Sequence, residues 1–397
     1  MSALSGLKRG PYWSLVAALL VSGCAGSSLA PSAAPQLAAA PAIVACPSLE
    51  PVFPTAEWQR IERPECAGWS AEGLRPVRER LSQMATTGFV AVVGGRVLMD
   101  YGDVQVISYL ASVRKSVLSM LYGIYTERGA IDLDQTLEQL GIDDLGGLTA
   151  EEKQATVRHL LSARSGIYHA ASNGGDDAAS APPRGSQRPG TYYLYNNWDF
   201  NAAGAVFEQL TKTDIYDALE ADLAKPIGMQ DFDRSAQRKS GNPERSQHMA
   251  YHIWLSTRDM ARVGLLMLRE GSWAGRQVAS REWVRRISSV VTPFHEMNPP
   301  YQRSLGGGNR WGYGYMWWVW DAPNSPGPFT GAYTGKGAGG QFITVLPALD
   351  MVVAHKTDTQ QVSPHGDGQR QRSVTGTDYD SILRMLAAAR CPGGVCR

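Results

Sequence analysis

Apolar positions along the chain change their period four times, and each change marks a different kind of element. Behind Ser70, the residues Leu74, Val77, Leu81 and Met84 recur at helical spacing, which predicts a helix capped by that serine. Two short apolar blocks follow, Phe89 to Val93 and Arg96 to Tyr101. They lie around the pair Gly94-Gly95, the pattern of a β-hairpin. Val117, Leu121, Ile124 and Tyr125 then return to helical spacing, predicting a buried helix that begins near Ser112 and stops at Gly129. From about 130 to 300 helical patterns dominate: Val157 to Leu161, Asn201 to Leu210, Ile215 to Leu223 and Met260 to Arg269. One stretch, 171 to 190, has no period and is rich in Gly, Ala, Asp, Ser and Pro; its length and position suggest a lid. Beyond 310 strands return: the aromatic-rich run Trp311 to Trp320, then Phe342 to Leu346 and Met351 to His355 on either side of Pro347 to Asp350. A helix from Tyr379 to Ala389, with Ile382, Leu383 and Leu386 on one side, closes the chain. The fold class expected is α/β: an antiparallel sheet flanked by helices and built from both termini, 46–130 and 310–397, with a mainly helical domain inserted at 131–309.

Composition narrows the class of partner. The 397 residues are 43% hydrophobic and 19% charged, with a net charge of +1 and scattered basic residues. This is the balance of a globular protein without a nucleic-acid footprint or a polybasic membrane patch. The first residues look like an export signal: Lys8-Arg9, an apolar run from Trp13 to Val21, then Ser22-Gly23-Cys24. That ending resembles the lipobox of bacterial lipoproteins, which implies a signal peptide over 1–23 and a lipidated Cys24. By the same likeness, Ala25 at the next position implies an outer-membrane protein facing the periplasm. Ordinary cleavage, releasing a soluble periplasmic or secreted protein, is the alternative. Residues 24–45, nearly all Ala, Pro, Ser, Gly and Leu, cannot build a core and form a tether. With Cys24 set aside, Cys46, Cys66, Cys391 and Cys396 remain, an even number that implies disulfides in an oxidising compartment. Loop closure favours Cys46 with Cys66 and Cys391 with Cys396, while cross-pairing of the termini stays open.

Candidate chemistry begins at Ser112 and Lys115. Three residues apart on a helix, they share a face, so the amine can reach the hydroxyl. A desolvated lysine with a lowered pKa can take the proton that makes serine a nucleophile. The second candidate is Tyr195-Asn-Asn197, the only Tyr-x-Asn in the chain. A tyrosine beside a lysine is held towards its phenolate form and can pass a proton on, and the amide of Asn197 can bind a substrate carbonyl or fix the lysine. The third is Thr334-Gly-Lys336-Gly-Ala-Gly-Gly-Gln341, where Gly337 and Ala338 are candidates to offer an N–H to an oxyanion and Lys336 to contact substrate. The bland alternative for that segment is a glycine-rich hairpin turn. A Ser/His/Asp triad is the rival mechanism, but no Gly-x-Ser-x-Gly elbow occurs, and His355 and Asp358 are expected to be structural.

These three pieces, with His159-Leu-Leu-Ser-Ala-Arg-Ser-Gly166, Lys225-Pro-Ile-Gly-Met229 and Ser256-Thr-Arg-Asp-Met-Ala-Arg-Val-Gly-Leu-Leu266, resemble the serine hydrolases related to class C β-lactamases, penicillin-binding proteins and family VIII esterases. They are especially similar to the 6-aminohexanoate-dimer hydrolase type. The resemblance implies a β-lactamase/transpeptidase-like fold, Ser112 as nucleophile, Lys115 and Tyr195 as proton-transfer groups and Asn197 as a positioning residue. It also implies a small-molecule amide or ester substrate and no metal or organic cofactor. Lys336-Gly337 is the match to the family's third element, usually Lys-Thr-Gly or His-x-Gly, and the departure weakens recognition of a β-lactam carboxylate. Hydrolysis of β-lactams or peptidoglycan peptides is the second reading, and a non-catalytic penicillin-binding-like receptor a third.

Overall fold

Ser70 caps the first helix, α1 (Ala71–Ser82), by accepting from the Gly73 N–H at 3.1 Å, and Leu74, Val77 and Leu81 form its buried face. The hairpin follows as β1 (Gly88–Val93) and β2 (Arg96–Gly102), turned by Gly94 and Gly95 at φ of 58° and 81°. The next helix, α2 (Val113–Glu127), is buried at every position from Val113 to Tyr125, as a helix without a polar face must be. This computed structural model describes Cys46 and residues 49–300, 310–321, 327–359 and 373–396. The leader expected over 1–23, Cys24 and the tether up to residue 45 lie outside the described residues.

Among the described residues up to 300, the later helices of seven residues or more are α3 (Asn197–Thr211), α4 (Thr257–Leu268) and α5 (Arg281–Ile287); the strands that complete the main sheet are β3 (Trp311–Tyr313), β4 (Trp318–Trp320), β5 (Tyr333–Gly337), β6 (Gln341–Leu346) and β7 (Met351–Lys356). The helix α6 (Gly376–Ala388) comes last. Among the described residues these strands form a seven-stranded antiparallel sheet in the order β2-β1-β7-β6-β5-β4-β3. Its seam is β1 on β7, in register from Gly88 with Lys356 to Val93 with Met351, so an early hairpin extends a sheet otherwise made after residue 310. This is the α/β arrangement expected.

Side-chain alternation sorts the helices onto the two faces. Ile343 and Val352 point to α4, where a Cβ on Gly264 would lie 2.3 Å from Val352 Cγ1; glycine lets helix and sheet touch. Phe342 and Thr344 point the other way, to α6, where Tyr379 stacks on Phe342 at 4.0 Å and donates to Thr344 Oγ1 at 2.8 Å. The described residues from 49 onward form one compact unit.

The structure differs from the sequence reading at several elements. The run Trp311 to Trp320 is two strands, because the chain reverses over Gly314–Trp317 with Met316 at φ 63°. The helix expected from Asn201 starts at Asn197, since the Asn196 side chain accepts from the Trp198 N–H at 2.9 Å and caps it early. Helix over Ile215 to Leu223 is α-helical only to Ala218 and widens to a π-type coil over Leu219–Ala224. Three ladders too short to show alternation were not foreseen: Ser108–Tyr109 with Trp254–Leu255, Arg238–Ser240 with Ala250–His252, and Ser272–Trp273 with Arg276–Gln277. Cys391 is bonded to Cys396, with Cα atoms 5.1 Å apart, and Cys46 and Cys66 are also in disulfides.

Candidate active site

The chain reaches Ser112 through a fixed path. Ser108–Tyr109 is held in its ladder, Leu110 donates to Ile253 O at 3.0 Å, and Ala111 turns the backbone at φ 48°, a strained conformation for a residue with a Cβ. Ser112 then occupies the N-cap position of α2, yet its hydroxyl makes no capping hydrogen bond. It faces Lys115 instead, whose Nζ lies 3.0 Å from Ser112 Oγ. Ser112 is half-buried and within reach of solvent, whereas Lys115 is 1% exposed. Burial drives the lysine pKa well below its usual value, the adjacent Arg114 charge adds to the effect, and Asp176 and Asp177 oppose it.

Eighty positions later the chain returns to the same amine. Lys115 Nζ is 2.6 Å from Tyr195 Oη and donates to Asn197 Oδ1 at 2.7 Å, and it lies over the rings of Tyr195 and Phe200 at 4.2 and 4.4 Å. Burial raises the Tyr195 phenol, against the hydrogen bond with Ser112 and the Arg114 charge that favour ionisation. The expected phenolate is therefore corrected: Tyr195 stays a phenol, because taking the group out of water disfavours its charged form.

Asn197 makes all its bonds within the protein. Its N–H donates to Asp176 Oδ2 at 2.8 Å, its Nδ2 to Gly174 O at 2.8 Å, and its Oδ1 takes the lysine. Of the two roles expected for this side chain, the geometry matches fixing the lysine, with one amide N–H taken by Gly174 O. The partners come from the aperiodic loop, whose first half is stitched down: Asp177 N–H donates to Tyr195 O at 2.9 Å and Ser172 Oγ to His248 O at 2.8 Å. Only the half from 178 to 190 is largely exposed. These loop contacts were missed by sequence reasoning; the acidic pair Asp176-Asp177 shortly before Tyr195 was the available signal.

The third segment is both things considered for it, a hairpin turn and a strand that approaches the site. Strand β4 pairs only with Tyr333 and Thr334 of β5, so among the described residues Gly335–Gly337 has no strand beside it on that side. Gly335 and Gly337 face α2. A Cβ at 335 would lie 2.9 Å from Ser116 Oγ, and one at 337 would lie 2.5 Å from Leu110 O and 3.1 Å from Ser112 N. Only glycine allows this strand so close to the Ser112 backbone. Ala338 follows at the exposed end of the strand. Lys336 points away from α2, its amine 4.9 Å from the Trp318 ring centre and held down to about 8 by burial, with Asp177 partly opposing. Trp318 in turn packs 5.6 Å from Tyr195.

His355 and His159 stand apart from this cluster. His355 is buried between Thr86 Oγ1 and Gly340 O at 2.9 and 2.7 Å, and His159 accepts from the Thr156 N–H at 3.2 Å in a helix cap.

An antiparallel sheet covered by helices on both faces, with Ser-x-x-Lys opening a buried helix and Tyr-x-Asn and a glycine-rich strand converging on it, defines the β-lactamase and penicillin-binding class of folds. The chain belongs to the Beta-lactamase family, which matches residues 78–375. Solved structures with this fold include a provisionally assigned 6-aminohexanoate-dimer hydrolase from Bacillus anthracis (17% identity, TM-score 0.58, covering 85% of this chain and 87% of that one). A penicillin-binding protein homologue from Caulobacter crescentus matches at 16% identity and TM-score 0.56, covering 84% and 98%. EstCE1, a hydrolase with promiscuous acyltransferase activity, matches at 14% and 0.55, covering 81% and 98%. In sequence, monacolin J acid methylbutanoyltransferase from Aspergillus terreus is 27% identical over 33% of this chain, and the match spans 38% of that enzyme's length.

Proposed function

We propose that the protein is a serine hydrolase that cleaves an amide or ester bond of a small substrate through an acyl-enzyme on Ser112. One observation carries this reading: the buried amine of Lys115 lies within hydrogen-bond distance of both Ser112 Oγ and Tyr195 Oη. An unprotonated amine has two N–H groups and one lone pair. Asn197 Oδ1 takes one N–H and Tyr195 Oη the other, which leaves the lone pair for the Ser112 proton. The serine oxygen attacks the carbonyl carbon as its proton passes to Lys115. The Ser112 N–H and an N–H at Gly337 or Ala338 hold the oxyanion. Tyr195 then gives its proton to the leaving amine or alkoxide and is reprotonated from Lys115. Water repeats the sequence on the ester and frees the acid. An alcohol in place of water makes the enzyme an acyltransferase, as the names of two relatives suggest.

Small linear amides or esters are the first choice of substrate. β-Lactams are second, supported by the family and by the Lys336 amine near the open edge of β5. The export signal and the disulfides support a place outside the cytoplasm, tethered through a lipidated Cys24.

The test is turnover of p-nitrophenyl butyrate, a linear 6-aminohexanoate amide and nitrocefin, with mass spectrometry of Ser112 after a fluorophosphonate probe. Labelling at Ser112 with faster ester or amide turnover is expected. Faster nitrocefin turnover reverses the order of substrates, and an unlabelled Ser112 in folded protein favours a receptor.

A further inference from the structure

The mechanism above uses Ser112 and Lys115 and leaves the arginine between them without a task. Arg114 is 2% exposed. Its Nη2 donates to Asn201 Oδ1 at 2.9 Å, its guanidinium lies 4.3 Å from the Tyr251 ring centre, and its Nη1 has no partner. Among the described residues no carboxylate pairs with it, whereas the other arginine buried as deeply, Arg262, donates to the three carbonyls of Pro54, Thr55 and Ile227. Arginine keeps its proton inside proteins, so this is a permanent charge taken out of water without a counter-ion, an arrangement that costs stability and is found where it does something else.

The groups in its field are Tyr109, Tyr195, Tyr216, Tyr251 and His252. None of them carries charge at neutral pH: burial holds the phenols up and draws His252 down to about 4. The next residue on the helix is Lys115, in the first turn of α2, where the helix dipole is already positive. Facing Lys115 from other elements are the Tyr195 phenol before α3 and the carboxylates Asp176 and Asp177 from the loop, which pull the other way; Asp177 acts on Lys336 of β5 as well.

We propose that Arg114 is a positioning residue that acts by charge: a fixed, buried cation that keeps the neighbouring Lys115 amine unprotonated and ready to take the serine proton. The inference rests on the reading of Ser112 as nucleophile and Lys115 as base. A second positive charge on the adjacent residue, in an effective dielectric of about 20, shifts a titration by on the order of one pH unit.

The experiment titrates Lys115 directly. Full-length protein carrying ¹³C-lysine is followed by NMR from pH 5 to 11, with the Lys115 Cε signal assigned by its loss in Lys115→Met, in wild type, Arg114→Met, Arg114→Gln and Arg114→Lys. The rate of Ser112 labelling by a fluorophosphonate is measured over the same range. In the two neutral variants the Lys115 midpoint moves up by about one unit or more, and labelling below that midpoint falls by roughly tenfold per unit while the rate at high pH is kept. Arg114→Lys returns both towards wild type, which loss of packing alone would not do. Arg114→Gln keeps a donor towards Asn201 and carries the comparison if Arg114→Met does not fold. An unmoved Lys115 midpoint in a folded neutral variant overturns the inference whatever the labelling shows. A moved midpoint with Ser112 unlabelled even in wild type keeps the electrostatic link and overturns the hydrolase reading instead.

Discussion

Lys115 connects Ser112, Tyr195 and Asn197, and its chemistry depends on its being neutral. Replacing it by Met removes the base while preserving bulk, and the rate of Ser112 labelling is expected to fall by about 10²–10⁴. In the wild type the sign of the pH dependence follows from the direction of the shift. Burial lowers the amine's pKa, so lowering the pH through that value protonates the base, and kcat/KM falls about tenfold per unit on the acid side. Tyr195 is shifted the other way and stays protonated, so it imposes no loss below about pH 10. A kcat/KM profile flat from pH 5 to 10 would sink the role of Lys115. Asn197 gives a second prediction. Because its Oδ1 holds the Lys115 amine, Asn197→Ala lowers kcat, by roughly tenfold or more, and leaves KM nearly unchanged. A raised KM with kcat preserved would restore the substrate-binding role first expected of it.

At the level of elements, the approach of β5 to the start of α2 decides whether an oxyanion can be held. Gly337→Ala inserts a methyl 2.5 Å from Leu110 O and 3.1 Å from Ser112 N, so the strand must back away. Loss of one donor predicts a fall in kcat/KM of about 10²–10³, with a melting temperature within a few degrees of wild type, since the rest of the sheet does not depend on that corner. Unchanged kinetics in the variant would remove β5 from the site. How far these elements were legible in the sequence follows from their length and period. Helix α2 and the hairpin β1–β2 announce themselves because their burial is regular over many residues or is punctuated by Gly94-Gly95. Ladders of two or three residues, such as Ser108–Tyr109 with Trp254–Leu255, carry too few alternations to be seen, and they exist because distant segments meet. The residues of the site were legible for a related reason. Ser112 and Lys115 are neighbours on one helix, whereas the loop carbonyl of Gly174 and the Asp176 carboxylate enter only through tertiary contacts that no local pattern records.

Across the whole molecule, the two ends of the sheet's construction are tied to the site by a second buried lysine. Lys356, the last residue of β7, pairs with Gly88 of β1 and sends its amine to Ser108 O at 2.7 Å and to Leu255 O, the ladder from which the chain runs into Ser112. Burial lowers its pKa to about 7, with Asp358 partly opposing. An unfolded lysine titrates near about 10.4. Between these values the unfolded chain holds a proton that the fold lacks, so stability rises with pH through that window, by about 1.4 kcal/mol per unit for this one group. Lys356→Met removes the titration and leaves two carbonyls without their donor, while the other titrating groups remain in both proteins and cancel in the difference. The stability of wild type minus variant is therefore expected to climb by roughly 3–4 kcal/mol from pH 7 to pH 10, with the variant at its greatest disadvantage at pH 10. Urea unfolding of both proteins at pH 7, 8.5 and 10 measures this. Parallel curves would mean that Lys356 stays protonated in the fold and is a buried cation held by carbonyls alone. A climbing difference means that the amine is neutral when it bridges the sheet to the segment entering α2, and that the joint strengthens as the pH rises.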